Sequence, residues 1–242
     1  MPEDEPIARS PIDPGPSTRV VDGWKVRSAQ DQDARPGGTR HTRSQVGAPP
    51  PCERLTLTDC TPLTKVLLRA DAGAPTAADL LGVPLGRSAK RLWDLGTGEA
   101  HVLLAGSRPG QWLALAPPHT AGAVTERLQK VTAPLTELVS VVDLTHALAL
   151  VRLTGRAART LLGRECGADL RPGHFPDGST LGTVVAGVAV DVIRDDLRSP
   201  DESFPSFLLH CEWMTGQYLV TSLIDAGEEL GLEQTGLQPS RV

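Results

Sequence analysis

Cysteine is scarce. The chain has four cysteines in 242 residues, at 52, 60, 166 and 211, with neither the close pairs of a zinc site nor the density of a secreted disulfide scaffold. A reducing compartment is the expected setting. Excess positive charge is missing too: 24 Lys and Arg stand against 29 Asp and Glu, a net charge of −5. No broad cationic surface is therefore expected, which argues against nucleic acid as a partner. No apolar run approaches the roughly 20 residues that a membrane-spanning helix needs. The opening MPEDEPIARSPIDPGPS is acidic and proline-broken, without the basic start and apolar stretch of a secretory signal. A cytoplasmic protein that avoids membranes is expected. What is present is ordinary for a folded chain, about 40% hydrophobic and 22% charged, and long enough for one large or two small domains.

Order is not spread evenly. Residues 1–54 hold nine of the 21 prolines and few large apolar groups beyond Ile7, Ile12, Val20, Val21, Trp24 and Val26. Such a stretch buries too little surface to offset its own ordering entropy, so it is expected to be a flexible or partner-bound arm and linker. The most linker-like part is 28–51, which is polar and punctuated by Gly and Pro. The folded domain is expected to occupy 55–242.

Within that domain, short β-branched runs alternate with amphipathic segments. Strands are expected at 54–59 and 63–69, and a short helix at 74–81 stopped by Gly82. A hairpin is expected from 101–105 and 111–116, with a helix from about Thr120 whose stripe of Ala121, Val124, Leu128 and Val131 lies on that hairpin. The order repeats with strands at 138–143 and 148–154 and a helix at 156–164. A third set has strands at 183–186, 188–194 and 204–210. The last helix, 213–230, has Leu219, Val220, Leu223, Ile224 and Leu230 on one face and Gly231 as C-cap. Repeated β-β-α order predicts an α+β fold of antiparallel sheets with helices packed on one side.

The residues offer no catalytic constellation. Gly96-Thr97-Gly98 is followed by Glu99, Ala100 and His101 rather than by a third glycine opening a helix, so it reads as a turn. The six histidines lack the paired spacing of metal ligands, and no GxSxG elbow occurs. Asp195-Asp196 offers a carboxylate pair for base chemistry or for holding a cation, but the polar LRSPDES that follows favours a solvated hairpin loop. Cys166 and Cys211 read as small buried hydrophobes.

One stretch resembles a known family. The run VVDLTHALALVRLTGRAARTLLGRECGADLRPGHF from Val141 is similar to the γ subunit of heterotetrameric sarcosine oxidase, itself a distant relative of the folate-binding aminomethyltransferase domain. The resemblance rests on Asp143, Thr145 and His146, on Arg152, Thr154 and Gly155, and on Cys166, Asp169, Pro172 and Phe175. Physics gives several of these structural roles. Asp143 and Thr145 can cap backbone donors, Gly155 turns strand into helix, and 169–172 would end the helical segment.

The resemblance implies a non-catalytic chain with no cofactor of its own and no catalytic, cofactor or metal residues. It implies FAD, FMN, NAD and tetrahydrofolate on partner α, β and δ subunits, in a complex that oxidises sarcosine to glycine and hydrogen peroxide and passes a one-carbon unit to tetrahydrofolate. A stand-alone folate-binding aminomethyltransferase-like protein is the alternative.

Overall fold

The computed structural model describes residues 54–71, 75–96, 98–198 and 203–236. Residues 1–53 of the arm and linker expected at 1–54, Cys52 among them, and part of the polar loop after Asp196 lie outside the described residues. In chain order the elements are β1 (Thr56–Asp59), β2 (Thr64–Arg69), α1 (Pro75–Leu81), β3 (Arg87–Asp94), β4 (Glu99–Arg108), β5 (Gln111–Ala116), α2 (Ala121–Thr132), β6 (Ser140–Asp143) and β7 (Leu148–Thr154). There follow α3 (Ala158–Glu165), β8 (Thr180–Val185), β9 (Val188–Arg194), β10 (Leu197–Arg198), β11 (Ser203–Phe204), β12 (Ser206–Glu212), α4 (Gly216–Gly227) and β13 (Glu233–Gly236). Short 3-10 turns flank α4 on both sides.

Two sheets carry the fold. The larger has six strands in the order β13-β1-β7-β12-β9-β8, the smaller five in the order β3-β4-β5-β2-β6, and β10 and β11 form a two-stranded ribbon. Pairing is antiparallel throughout except between β1 and β13, which run parallel. The whole smaller sheet is thus an excursion between β1 and β7, leaving by the turn 60–63 and returning by the turn 144–147.

Alternation along the strands sets the layers. Ala149, Val151 and Leu153 of β7, Val188, Val190 and Val192 of β9, and Phe207, Leu209 and Cys211 of β12 pack with Leu161 and Leu162 of α3 and Leu219, Val220 and Leu223 of α4. In the smaller sheet Val66, Leu68, Val102, Leu104, Trp112 and Ala114 pack with Leu81 of α1 and with Val124 and Leu128 of α2. The intervening residues, Leu150, Ile193 and Leu208 from one sheet and Leu103, Ala105, Leu113 and Leu115 from the other, meet in a third core between the sheets. The protein is therefore a four-layer α/β/β/α sandwich in which each sheet has helices on one side only. Among the described residues no helix is long and apolar enough to cross a membrane.

The α+β class, the four helices and the hairpin of β4 and β5 match the sequence reading. Four details differ. The strand β3 was not foreseen, because ArgSerAlaLysArgLeuTrpAsp carries its apolar side chains too sparsely for an alternation signal; the hairpin turn at Gly96 and Gly98 does form, both with positive φ. Short β13, mostly polar, was also not foreseen. The helix α2 packs chiefly on β2 and β6, with β5 at its margin, rather than squarely on the β4–β5 hairpin. Finally, β6 and β7 are not a pair: they belong to different sheets, since β6 bonds β2 and β7 bonds β1 and β12.

Candidate functional site

The central strands of both sheets, among them β2, β5, β7, β9 and β12, are buried on both faces and are almost continuously apolar. At the positions aimed between the sheets, the alternation is interrupted by polar groups. These are Lys65 on β2, Arg152 on β7, Asp191 on β9, and Ser206 and His210 on β12, all buried. They form the largest concentration of buried charge in the described residues.

One cluster sits where the chain crosses between sheets. Lys65 is fully buried, and its Nζ donates to the carbonyls of Thr61 (2.6 Å) and Leu63 (2.8 Å). Burial pushes its pKa down to about 8. Its backbone N–H donates to Thr145 Oγ1 (3.1 Å), its carbonyl accepts from Leu144 N–H (2.8 Å), and Thr145 N–H donates to Asp143 Oδ1 (2.8 Å). Thr61 Oγ1 in turn accepts from Leu150 N–H (3.1 Å). The outgoing and returning connections are thereby fastened to each other at one point. Beside them burial pushes the Cys60 thiol up to about 11.

A second cluster surrounds the end of β9. Arg152 donates to Asp195 Oδ2 (2.9 Å), to the Asp195 carbonyl (3.2 Å) and to Ser206 Oγ (2.7 Å). Lys90, on β3 of the other sheet, lies 2.6 Å from Asp195 Oδ1. Arg194 donates to Asp196 (2.8 and 3.0 Å) and to the Phe175 carbonyl (2.6 Å). The expectation of a solvated Asp195-Asp196 loop is therefore wrong. The chain keeps both carboxylates inside because each is matched by a buried arginine supplied from a strand, and the polar residues that suggested a loop come only after them.

The third cluster spans the sheets at the middle of β9. Asp191 accepts from Arg108 Nη2 (3.0 Å) and Ser107 Oγ (2.9 Å), both on β4 of the smaller sheet. His210 Nε2 lies 3.4 Å from Asp191 Oδ2 but is not aligned for a hydrogen bond, and burial lowers its pKa to about 4. A neutral, enclosed imidazole of this kind is suited to filling space at neutral pH and not to shuttling protons.

The motif residues quoted above do not converge on one centre. Asp143 and Thr145 fasten the crossover, and His146 is exposed in the same turn. Thr154 reaches Ser206 (3.4 Å). Gly155 has φ +124, and a Cβ there would stand 2.3 Å from the Arg54 carbonyl oxygen, so only glycine fits. Cys166 is buried, a thiol accepting from Ala168 N–H (3.4 Å) and touching Thr183 Oγ1. The helix α3 already ends there, because Cys166 is extended; the stop expected at 169–172 lies further on, where Asp169 accepts from Arg171 and holds a surface turn leading over Pro172 to buried Phe175. The Arg171 guanidinium holds the Asp169 carboxyl well below the usual carboxylate range. Among the described residues no group of three or more His, Cys, Asp or Glu is placed to hold a metal.

Lys65, Lys90, Arg108, Asp191, Arg194 and His210 were not singled out from the sequence as site residues. For Lys65, Asp191 and His210 a signal was nonetheless present: in TKVLLR, VAVDVIR and SFLLHCE each falls within the strand at a position whose phase opposes that of the helix-facing residues.

A family model for the sarcosine oxidase γ subunit matches residues 69–201, more than half of the chain. The chain belongs to the sarcosine oxidase γ subunit family. Among solved structures, this γ-family chain is similar to one of a heterotetrameric sarcosine oxidase from Corynebacterium sp. U-96 in complex with pyrrole 2-carboxylate. The identity is 24%, with a TM-score of 0.56, over 73% of this chain and 85% of that one. It is also similar to aminomethyltransferase T of the glycine cleavage system from Bartonella henselae, at 14% identity and a TM-score of 0.56, over 76% of this chain and 48% of that one. The γ-family chain thus spans about half of the transferase. At these identities both likenesses speak for the fold. No curated protein matches the chain in sequence.

Proposed function

We propose that the chain is the γ subunit of a heterotetrameric sarcosine oxidase, a structural and non-catalytic component in the cytoplasm. The complex would oxidise sarcosine to glycine and hydrogen peroxide and transfer the one-carbon unit to tetrahydrofolate. In this reading α, β and δ chains hold FAD, FMN, NAD and tetrahydrofolate, and this chain holds none of them. The family match over 69–201 carries the proposal.

The chemistry of the site supports the non-catalytic part. The buried carboxylates Asp191, Asp195 and Asp196 are each engaged by an arginine of the same chain, and the motif residues fasten backbone. A buried carboxylate matched in this way has little reason to bind a cationic or N–H-bearing ligand. Co-expression with the flavin-bearing chains tests the reading. The expected result is a stable complex that retains this chain through purification, with reduced oxidase activity when it is omitted. Failure to co-purify, or equal activity without it, would refute the proposal.

The likeness to aminomethyltransferase T favours a second reading, a stand-alone folate-binding protein. Isothermal titration of the isolated chain with tetrahydrofolate separates the two: micromolar binding supports the second reading, and no binding the first.

A further inference from the structure

The sandwich is open along one side. Paired residues of an antiparallel ladder point to the same face, so Val142, opposite Leu67, belongs with the core between the sheets, against which Leu67 packs. Yet Val142 is 43% exposed. The larger sheet does not extend over it. There the start of β7 and the end of β12 give way to the turn before α4, where Trp213 N–H bonds the Ala147 carbonyl (3.0 Å). Met214 and Tyr218, four residues apart at that helix entrance, are 90% and 61% exposed.

The strand β6 is also an edge. Leu144 N–H donates to the Lys65 carbonyl, so alternation directs the amide of Val142 to β2 and those of Val141 and Asp143 outward. Two of the other described edges are less receptive. The start of β3 is bonded by 178–180 and carries Arg87, Lys90 and Arg91, and β8 is met by Cys166.

We propose that the Arg19–Arg27 segment of this same chain (RVVDGWKVR) docks along the outer edge of β6 and lays Val20, Trp24 and Val26, which share one face of an extended strand, over Val142 and Met214. Three observations select this occupant. It is a compact apolar block in a region otherwise poor in large side chains. Its charge, Arg19, Lys25 and Arg27 against Asp22, is opposite to that of Asp143 and Glu212, which are exposed on either side of the 144–147 turn. Its tether reaches: the described chain begins at Arg54, beside Gly155 at the far end of β7. From there to the rim is the length of a seven-residue strand, about 23 Å, whereas 26 intervening residues extend to as much as about 90 Å.

Hydrogen exchange on the isolated full-length chain tests this without any partner, so its failure is separate from that of the oxidase reading. The amides of Val141 and Asp143 should exchange at least about ten-fold more slowly in the wild type than in a Val20→Asp/Trp24→Asp variant. Carbodiimide should also join Lys25 to Asp143 or Glu212 within the monomer. Neither substitution touches the described domain, so a folding defect does not confuse the result. Equal exchange with no cross-link would overturn the proposal. Protection that appears only on adding flavin-bearing chains would assign the rim to a partner. Protection that grows with protein concentration would assign it to a second copy. Each of these outcomes also overturns it.

Discussion

Replacing Asp195 with alanine removes the carboxylate that accepts from Arg152 at 2.9 Å and from Lys90 at 2.6 Å. Arg152, itself buried, then keeps its charge between the sheets without its carboxylate, while Ser206 Oγ and the carbonyl of residue 195 still accept from it. Breaking a buried pair from one side destabilises by about 3–5 kcal/mol. Lys90 adds little, because its side chain is 41% exposed and a solvated partner is worth at most about 1 kcal/mol. Arg152→Met is expected to be milder, since Asp195 retains the lysine. The double variant should then cost less than the sum of the singles by about 0.5–3 kcal/mol. Urea unfolding of the four proteins gives the cycle. An Asp195→Ala effect within about 0.5 kcal/mol, the range of an ordinary surface change, together with additivity, would refute the inter-sheet charge cluster and restore a solvated loop.

Other outcomes follow from the same geometry. His210, whose pKa falls to about 4 from 6.5 on folding, binds fewer protons folded than unfolded between those values. Stability should therefore rise with pH from about 4 to 6.5, by up to about 3 kcal/mol, and His210→Gln should flatten that limb in urea titrations. Lys65, lowered to about 8 from 10.5, should make stability rise above pH 8, and Cys60, raised to about 11 from 9.0, should make it fall above pH 9. A gain confined mainly to pH 8–9 is expected, and it should vanish in Lys65→Met. Gly155→Ala forces a side chain against the Arg54 carbonyl at positive φ and should cost about 3 kcal/mol or more, seen as a lower calorimetric Tm. Leu161→Ala, at a fully buried position of α3, should cost about 2–5 kcal/mol, whereas Leu138→Ala, 88% exposed, should change stability by less than about 0.5 kcal/mol.

Periodicity and turn residues made much of this fold readable. The helix α4 has its apolar face at 219, 220 and 223, and the 3-10 turn that continues it is capped by Gly231 in the left-handed region, φ 71. The hairpin β4–β5 likewise announces itself through ArgProGly. What periodicity does not carry is which strands share a sheet. Strands β6 and β7 are consecutive and look like a hairpin, but the deciding bonds, Leu144 to Lys65 and Cys60 to Leu150 (2.9 Å), join residues far apart in sequence.

The site was less readable for a related reason. Asp195 looks like the start of a loop until Arg152, 43 residues earlier, is placed beside it. Lys65 looks like an exposed strand residue until the second sheet covers it. A polar residue at the wrong strand phase is a local sign of such a site, but its partner is supplied by topology.

The central claim, that this chain gives shape to an oxidase and performs none of its chemistry, is tested most directly by kcat of the assembled complex carrying His146→Ala, Asp169→Asn or His210→Gln. Each variant should turn over within about two-fold of the wild type per intact complex, because in the proposed reading none of these groups takes part in proton transfer. A fall of about 100-fold or more in an intact complex, the signature of a lost general acid or base, would contradict it.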